Sequence, residues 1–431
     1  MAVGPTFLAG AGSRLLPASV PFRFFGAAVV FHVVAWLALA IGADGATRFA
    51  GGLGWPLAAL HSITLGTLAM TAIGASLQLF PVATRRPIAN SGLARAVFWF
   101  YVPGVAAVVA GMGTGSMPWL AGGAAGVALG LVSFAVLFVA NLGEARGLSL
   151  VVAHGAVAAF ALTATLVSAL AIVGGYAAGW EIDRLRLVAL HVSLAGYGFM
   201  GMLALGLSYV LVPMFALASS PPAHRGWASF AVATGALACA VAAALGVVPD
   251  VLGVAAAGFG AVAALQHVQL MRETLAAGLR RELGTGFRLV RLSWMAMVAS
   301  LVLALAWALG VAWPRLPTLF GATLVAGWLL TFLLGILQRI VPFLASMHAA
   351  KGRRLPPTPS SLTAETPLLW HFRCHVAALG ALAAAIVADQ PWVLAAAAVL
   401  GAAGALAYAV FFAIAVRRMT SPAVDRGREK R

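Results

Sequence analysis

The chain has 431 residues, 62% of them hydrophobic and only 9% charged, with a mean hydropathy of +1.00. That composition excludes a soluble globule and calls for helices in a bilayer. The net charge of +16 does not indicate nucleic acid, because the arginines lie in short segments between apolar runs and no soluble domain exists to present a basic face.

Twelve apolar runs suit the length demanded by a hydrocarbon core of about 30 Å. They fall at 24–41, 57–80, 96–112, 119–140, 151–176, 187–215, 227–248, 251–271, 292–313, 319–343, 368–387 and 392–416. Trp55, Trp119, Trp180, Trp313 and Trp392 sit at predicted ends, as an aromatic belt requires. The 48 glycines suit membrane helices that pack backbone to backbone. Cys239 and Cys374 fall in or beside these runs, so neither a disulfide framework nor a thiolate metal site is expected. No cleavable signal peptide is expected either, since the first long run leads straight into more membrane chain.

Basic residues set the orientation. The loops after spans 2, 4, 6, 8 and 10 carry Arg85, Arg86, Arg95, Arg146, Arg225, Arg272, Arg280, Arg281, Arg288, Arg291, Lys351, Arg353 and Arg354, and a basic tail follows span 12. The opposite side has Arg48, Arg184, Arg186 and Arg315. Both termini are therefore expected on the cytoplasmic side of a bacterial-type inner membrane, with the lipid bilayer as surroundings. Residues 272–283 read as a surface helix with Leu275 and Leu279 toward lipid. Residues 351–367 read as an extended linker, and the end of the chain as a charged, disordered tail. The expected domain is thus a single integral membrane unit, 1–431, with cytoplasmic loops at 273–289 and 346–367 and a basic tail at 419–431.

One pattern recurs along the chain. His61-Ser62-Ile63-Thr64-Leu65-Gly66 continues through Gly74 and Gln78 to Pro81. His191 to Gly196 continues through Gly206 and Tyr209 to Pro213, and Ala322 to Gly327 through Gly335 and Gln338 to Pro342. The three starts are 130 and 131 residues apart, and each later Gly precedes its Pro by seven. The expected fold is all-α: a polytopic bundle of 12 helices in three parallel repeats of four, about 22–142, 150–272 and 290–416. Pseudo-threefold symmetry then places spans 2, 6 and 10 innermost. Span 6 holds two more residues than span 2 between its His and its Pro, and two residues turn a helix by roughly 200°. Either the His-x4-Gly starts or the Gly-x6-Pro ends superpose, and the pattern does not choose.

All eleven carboxylates map to loops, termini or helix ends, which argues against a proton-coupled carrier or pump. No paired-carboxylate, Ser-His-Asp or phosphate-loop constellation appears, so no reaction is assigned. The candidate ligands are histidines. His61 and His191 lie about one turn inside the outer face, and His32 near mid-span 1. Two imidazoles converging from facing helices can ligate a haem iron, or serve as two ligands to copper. The other reading is that each hydrogen-bonds a backbone carbonyl. His371 and His375 share one helical face and could hold a metal ion, although Arg373 adjoins them and they fall at a wet boundary. His154 and His267 read as interfacial. Met70, Met200, Met202 and Met214 read as packing. Arg184 and Arg186 could neutralise haem propionates, or pair with Glu181 and Asp183.

Twelve spans in three arcs, cytoplasmic termini and an outer-side histidine on span 2 resemble subunit I of the haem–copper oxidases and nitric oxide reductases. The stretch from His61 through Gly74 and Ala75 to Pro81 is similar to that family's second helix, whose histidine ligates the low-spin haem; His191 falls on the sixth, which contributes a copper ligand. The resemblance implies haem b, or copper, and a respiratory redox partner or nitric oxide. Spans 7 and 10 lack the family's further histidines, so a dinuclear centre is not carried over. The entry Phe22-Arg23-Phe24-Phe25 resembles the NnrS-like membrane proteins. The expectation is a haem-binding membrane protein with His61 and His191 as ligands, then His32. A metal-free transporter or channel for a small solute, or a scaffold subunit, is the alternative.

Overall fold

The computed structural model describes residues 14–280, 282–350 and 357–421. Among them are twelve helices long and apolar enough to cross a bilayer, and no β-strand. Span 1 is Ser19–Ile41, span 2 Trp55–Ala83, span 3 Ser91–Thr114, span 4 Met117–Gly143, span 5 Ser149–Ala177 and span 6 Arg184–Ala216. Span 7 is Ala223–Ala244, span 8 Pro249–Ala277, span 9 Gly284–Ala308, span 10 Leu316–Ala349, span 11 Glu365–Ala388 and span 12 Pro391–Thr420. Each coincides with one of the apolar runs, because only an internally hydrogen-bonded helix satisfies its backbone in hydrocarbon. Pro56, Pro118, Pro249, Pro317 and Pro391 open helices within the first turn, where a missing N–H costs nothing. The Asn90 side chain caps span 3 by accepting from the Leu93 N–H at 2.9 Å.

Three helices differ from the rest. Spans 2, 6 and 10 each switch from α to π winding, at Thr64–Ala69, Ser193–Gly201 and Thr323–Leu330, and then back. They are also the most enclosed: 83%, 78% and 61% of their apolar windows are buried, against 22–44% for the other nine. The π segment of span 10 touches those of both span 2 and span 6. Around this centre the spans pack in order. Spans 3 and 4, 7 and 8, and 11 and 12 form hairpins, and spans 4 and 5, 8 and 9, and 12 and 1 touch to close the ring.

Several expected loops are shorter than the sequence suggests. Span 8 runs unbroken to Ala277, because Glu273 is held by Arg225 of span 7 at 2.6 and 3.2 Å and Leu275 packs into the core. Among the described residues no separate surface helix forms there; Leu279 alone of the two leucines is exposed. Span 10 extends to Ala349, and the turn Pro359–Leu362 is tied down by Arg418, which donates to the carbonyls of Ser361 and Thr363 at 3.1 Å each. Span 12 covers 419 and 420 and Ser421 follows it; residues 422–431 of the expected tail and 351–356 of the expected linker lie outside the described residues.

At the opposite end, Asp389 closes span 11 in the left-handed region (φ +56°). Its carboxylate accepts from Arg48 and from the Thr47 hydroxyl at 2.8 Å, with Arg315 3.5 Å away. The Arg48 hydrogen bond, then that of Thr47, hold its pKa down to about 2. A carboxyl depressed below its unfolded value of about 3.9 contributes stability above that value, and loses it as pH falls through the folded value. Arg48 is largely exposed, so the effect is modest and screened by salt. The wild-type melting temperature is expected to fall more steeply than that of Asp389→Asn between about pH 4 and 2. Parallel slopes in melting curves at stepped pH would refute this.

Candidate functional site

His61 and His191 stand immediately before the π segments of spans 2 and 6, and each is half-buried. The Nδ1 of His61 lies 3.1 Å from the carbonyl oxygen of Leu57. A carbonyl only accepts, so Nδ1 carries the proton and Nε2 a bare lone pair. His191 reaches the same state by another route. Its Nδ1 lies 3.3 Å from Ser168 Oγ, and that hydroxyl already gives its one proton to the Thr165 carbonyl at 2.9 Å. The His191 Nδ1 must therefore donate, again leaving Nε2 bare. The His191 imidazole also has a hydrogen bond with the backbone carbonyl of Thr165. An Nδ1–H held by a chain oxygen is the arrangement that orients metal-ligating histidines.

The π segments differ in length, nine residues in span 6 against six in span 2 and eight in span 10. The Gly-x6-Pro ends keep equivalent neighbours, Phe24 against Gly74 and His154 against Gly206, but the starts do not: Gly66 packs on Phe31, whereas Gly196 packs on Leu324 and it is Gly198 that packs on Ala161. Span 10 has Ala322 at this level, and contributes Leu324, against Gly196, and Trp328, 5.6 Å from the Tyr197 ring. Arg184 and Arg186 are exposed at the start of span 6. Arg184 lies over the Tyr176 ring at 4.3 Å, and Arg186 pairs with Asp183 at 3.1 Å.

His32, His371 and His375 come together. All three are buried, at 1% exposure or less, whereas the sequence suggests a wet boundary for His371 and His375. The reason is Gly404 of span 12: without a side chain it lets span 11 close in, and the His371 Nδ1–H donates to its carbonyl at 3.0 Å. Arg373 points away, over the Trp370 ring at 5.8 Å. The His371 ring stacks on His375 at 5.4 Å and meets His32 edge-on at 6.3 Å. The Thr331 hydroxyl donates to Ala326 at 2.8 Å, so the His375 Nε2–H donates to Thr331 at 2.8 Å. No group of three or more His, Cys, Asp or Glu able to hold a metal exists among the described residues.

Sequence reasoning missed a second buried group. His154 and His267 are 2% and 1% exposed instead of interfacial, and flank Tyr209 with ring centroids 5.7 and 5.4 Å away. Gly206 allows this, since a Cβ there would fall 2.5 Å from His154 Cβ. The recurring glycine was the available signal. Tyr408 and Thr331 carried none, being single polar residues on apolar helices. The four methionines are buried in the core. No family model and no curated protein matches the chain.

Proposed function

We propose that this protein is an integral membrane haem protein in which His61 and His191 would hold the haem iron, and that it exchanges electrons. One observation supports the reading: two imidazoles on spans 2 and 6, two to three residues before the π segments, each have Nδ1 against a chain oxygen. A haem iron takes four nitrogens from its macrocycle, and these two imidazoles would supply the remaining ligands. Copper or zinc held by the same two residues would be left short of ligands, so haem is favoured over copper. When bound, such a haem supplies one-electron chemistry, and with both axial positions filled it favours electron transfer over capture of nitric oxide. The protein's part is to orient the imidazoles and to surround them with the tightly packed inner helices.

The proposal extends to the architecture. We read spans 1–4, 5–8 and 9–12 as parallel repeats about a pseudo-threefold axis, with loops after even-numbered spans and both chain ends cytoplasmic in a bacterial-type inner membrane. Supporting this, π winding recurs at one place in spans 2, 6 and 10. Gly74 also packs on Phe24 as Gly206 packs on His154, and Phe24 and His154 are 130 residues apart, like His61 and His191.

The test is an optical spectrum, oxidised and dithionite-reduced, of detergent-purified protein expressed with adequate haem. The expected result is a Soret band with sharp reduced α and β bands and about one haem per chain. A colourless, iron-free preparation sinks the proposal and favours a metal-free solute pathway.

A further inference from the structure

The segment Phe22-Arg23-Phe24-Phe25 enters span 1 at the end of the bundle opposite Asp389, and its one charged residue is not neutralised. Arg23 is the fifth residue of span 1, and Arg95 the fifth of span 3. Each therefore sits about 6 Å along its helix, the depth of the headgroup boundary. Arg23 is half-buried and held from two sides. Its Nη2 donates to the carbonyls of Arg95 and Ala94 at 2.8 and 3.5 Å. Its guanidinium carbon lies 4.9 Å from the centre of the Phe98 ring and 5.7 Å from that of Phe24, and these two rings meet edge-on at 5.3 Å.

Carbonyls and aromatic faces orient a cation without cancelling its charge. The charged neighbour is Arg95, close enough to act on Arg23 electrostatically. No carboxylate pairs with either guanidinium among the described residues, whereas at the same end Arg86 has Glu144 and Arg225 has Glu273. The flank of the pair is open and apolar. Trp99 follows Arg95 by one turn on the same helical face and is 68% exposed, and Phe100 is 46% exposed. Tryptophan at that depth favours the boundary between headgroups and hydrocarbon. Two unneutralised guanidiniums beside an exposed aromatic surface match an amphiphile with one anionic group and a hydrocarbon tail. Guanidinium, with paired N–H donors, suits phosphate oxygens.

We propose that Arg23 and Arg95 bind the phosphate of an anionic phospholipid, whose acyl chains run past Trp99 and Phe100. Arg23, held by span 3, is the preset half of the site, and the exposed Arg95 supplies the second set of donors. The bound anion offsets the repulsion between the two cations and ties span 1 to span 3. A zwitterionic lipid is a poorer ligand, because its own ammonium competes for the phosphate.

The test uses the full chain, purified in detergent and stripped of lipid, then titrated with phosphatidylglycerol or phosphatidylcholine in mixed micelles. Bound lipid is counted by native mass spectrometry. The wild type is expected to retain phosphatidylglycerol in preference to phosphatidylcholine. Arg95→Gln is expected to bind phosphatidylglycerol about fivefold more weakly, the share of one arginine at an anionic membrane surface. Arg146→Gln is the control: that arginine is exposed at the same end, without an ion pair among the described residues, and its loss should leave the affinity unchanged. Equal retention of the two lipids by the wild type overturns the proposal, and so does an equal loss in both variants. Displacement of the lipid by inorganic phosphate at equal concentration assigns the site to a free anion and overturns it too. The wild-type comparison of two lipids stands without any variant, and none of these outcomes depends on whether His61 and His191 bind haem.

Discussion

Replacing His61 or His191 with alanine is expected to abolish the sharp reduced α band of the haem-loaded protein. On the proposed haem reading, each substitution would remove one of the two imidazoles that would hold the iron, and either variant would hold the haem weakly or lose it. Ser168→Ala should act more weakly. It removes the oxygen that holds the His191 Nδ1–H at 3.3 Å, while leaving the ligand itself in place. Loss of such an outer partner typically weakens binding by about 10–100-fold, so the band should persist at reduced haem loading. Unchanged spectra in both alanine variants would remove these residues from the site.

The largest expected effect on stability lies in the hairpin of spans 3 and 4. A Cβ added at Gly123 would fall 2.5 Å from the Val108 nitrogen and 2.8 Å from the Gly104 carbonyl oxygen. One added at Gly104 would fall 2.6 Å from the Val127 nitrogen. These neighbours are backbone, so no rotamer change relieves the clash and the helices must separate. Gly123→Val is expected to cost about 3 kcal/mol or more, seen as a large drop in melting temperature or loss of monodispersity in detergent. Gly122 provides the control. Nothing lies within 4 Å of a Cβ there, and Gly122→Val should melt like the wild type. Equal melting of both variants would mean that the close approach does not hold the hairpin together.

His371 and His375 show why depth is hard to read from one chain. Both fall near the polar end of an apolar run, which places them near headgroups on hydropathy alone. Their burial depends on Gly404, thirty-three positions from His371 on the next helix, and on His32 at the other end of the chain. His154 is similar: its environment is decided by Gly206 and Tyr209 of span 6. Arg186 shows the opposite case. Its partner Asp183 is three residues away, so the ion pair was legible in the residue order as one of two readings.

Features that depend on neighbouring residues alone were open to a reader of the chain. The twelve spans follow from the length of apolar runs, because the backbone must bond to itself in hydrocarbon. The placement of described carboxylates at helix ends follows from the cost of burying charge. The recurrence of His61 and His191 was equally visible, since it needs only a count of positions. The direction in which those side chains turn was not, and it took the packed helices to fix it. Whether two extra residues in span 6 rotate His191 away from His61 depends on helical winding between them. The nine-residue segment Ser193–Gly201 takes up π winding, in close contact with the π segment of span 10. Winding of that kind is set by how neighbouring helices pack, and no local propensity encodes it.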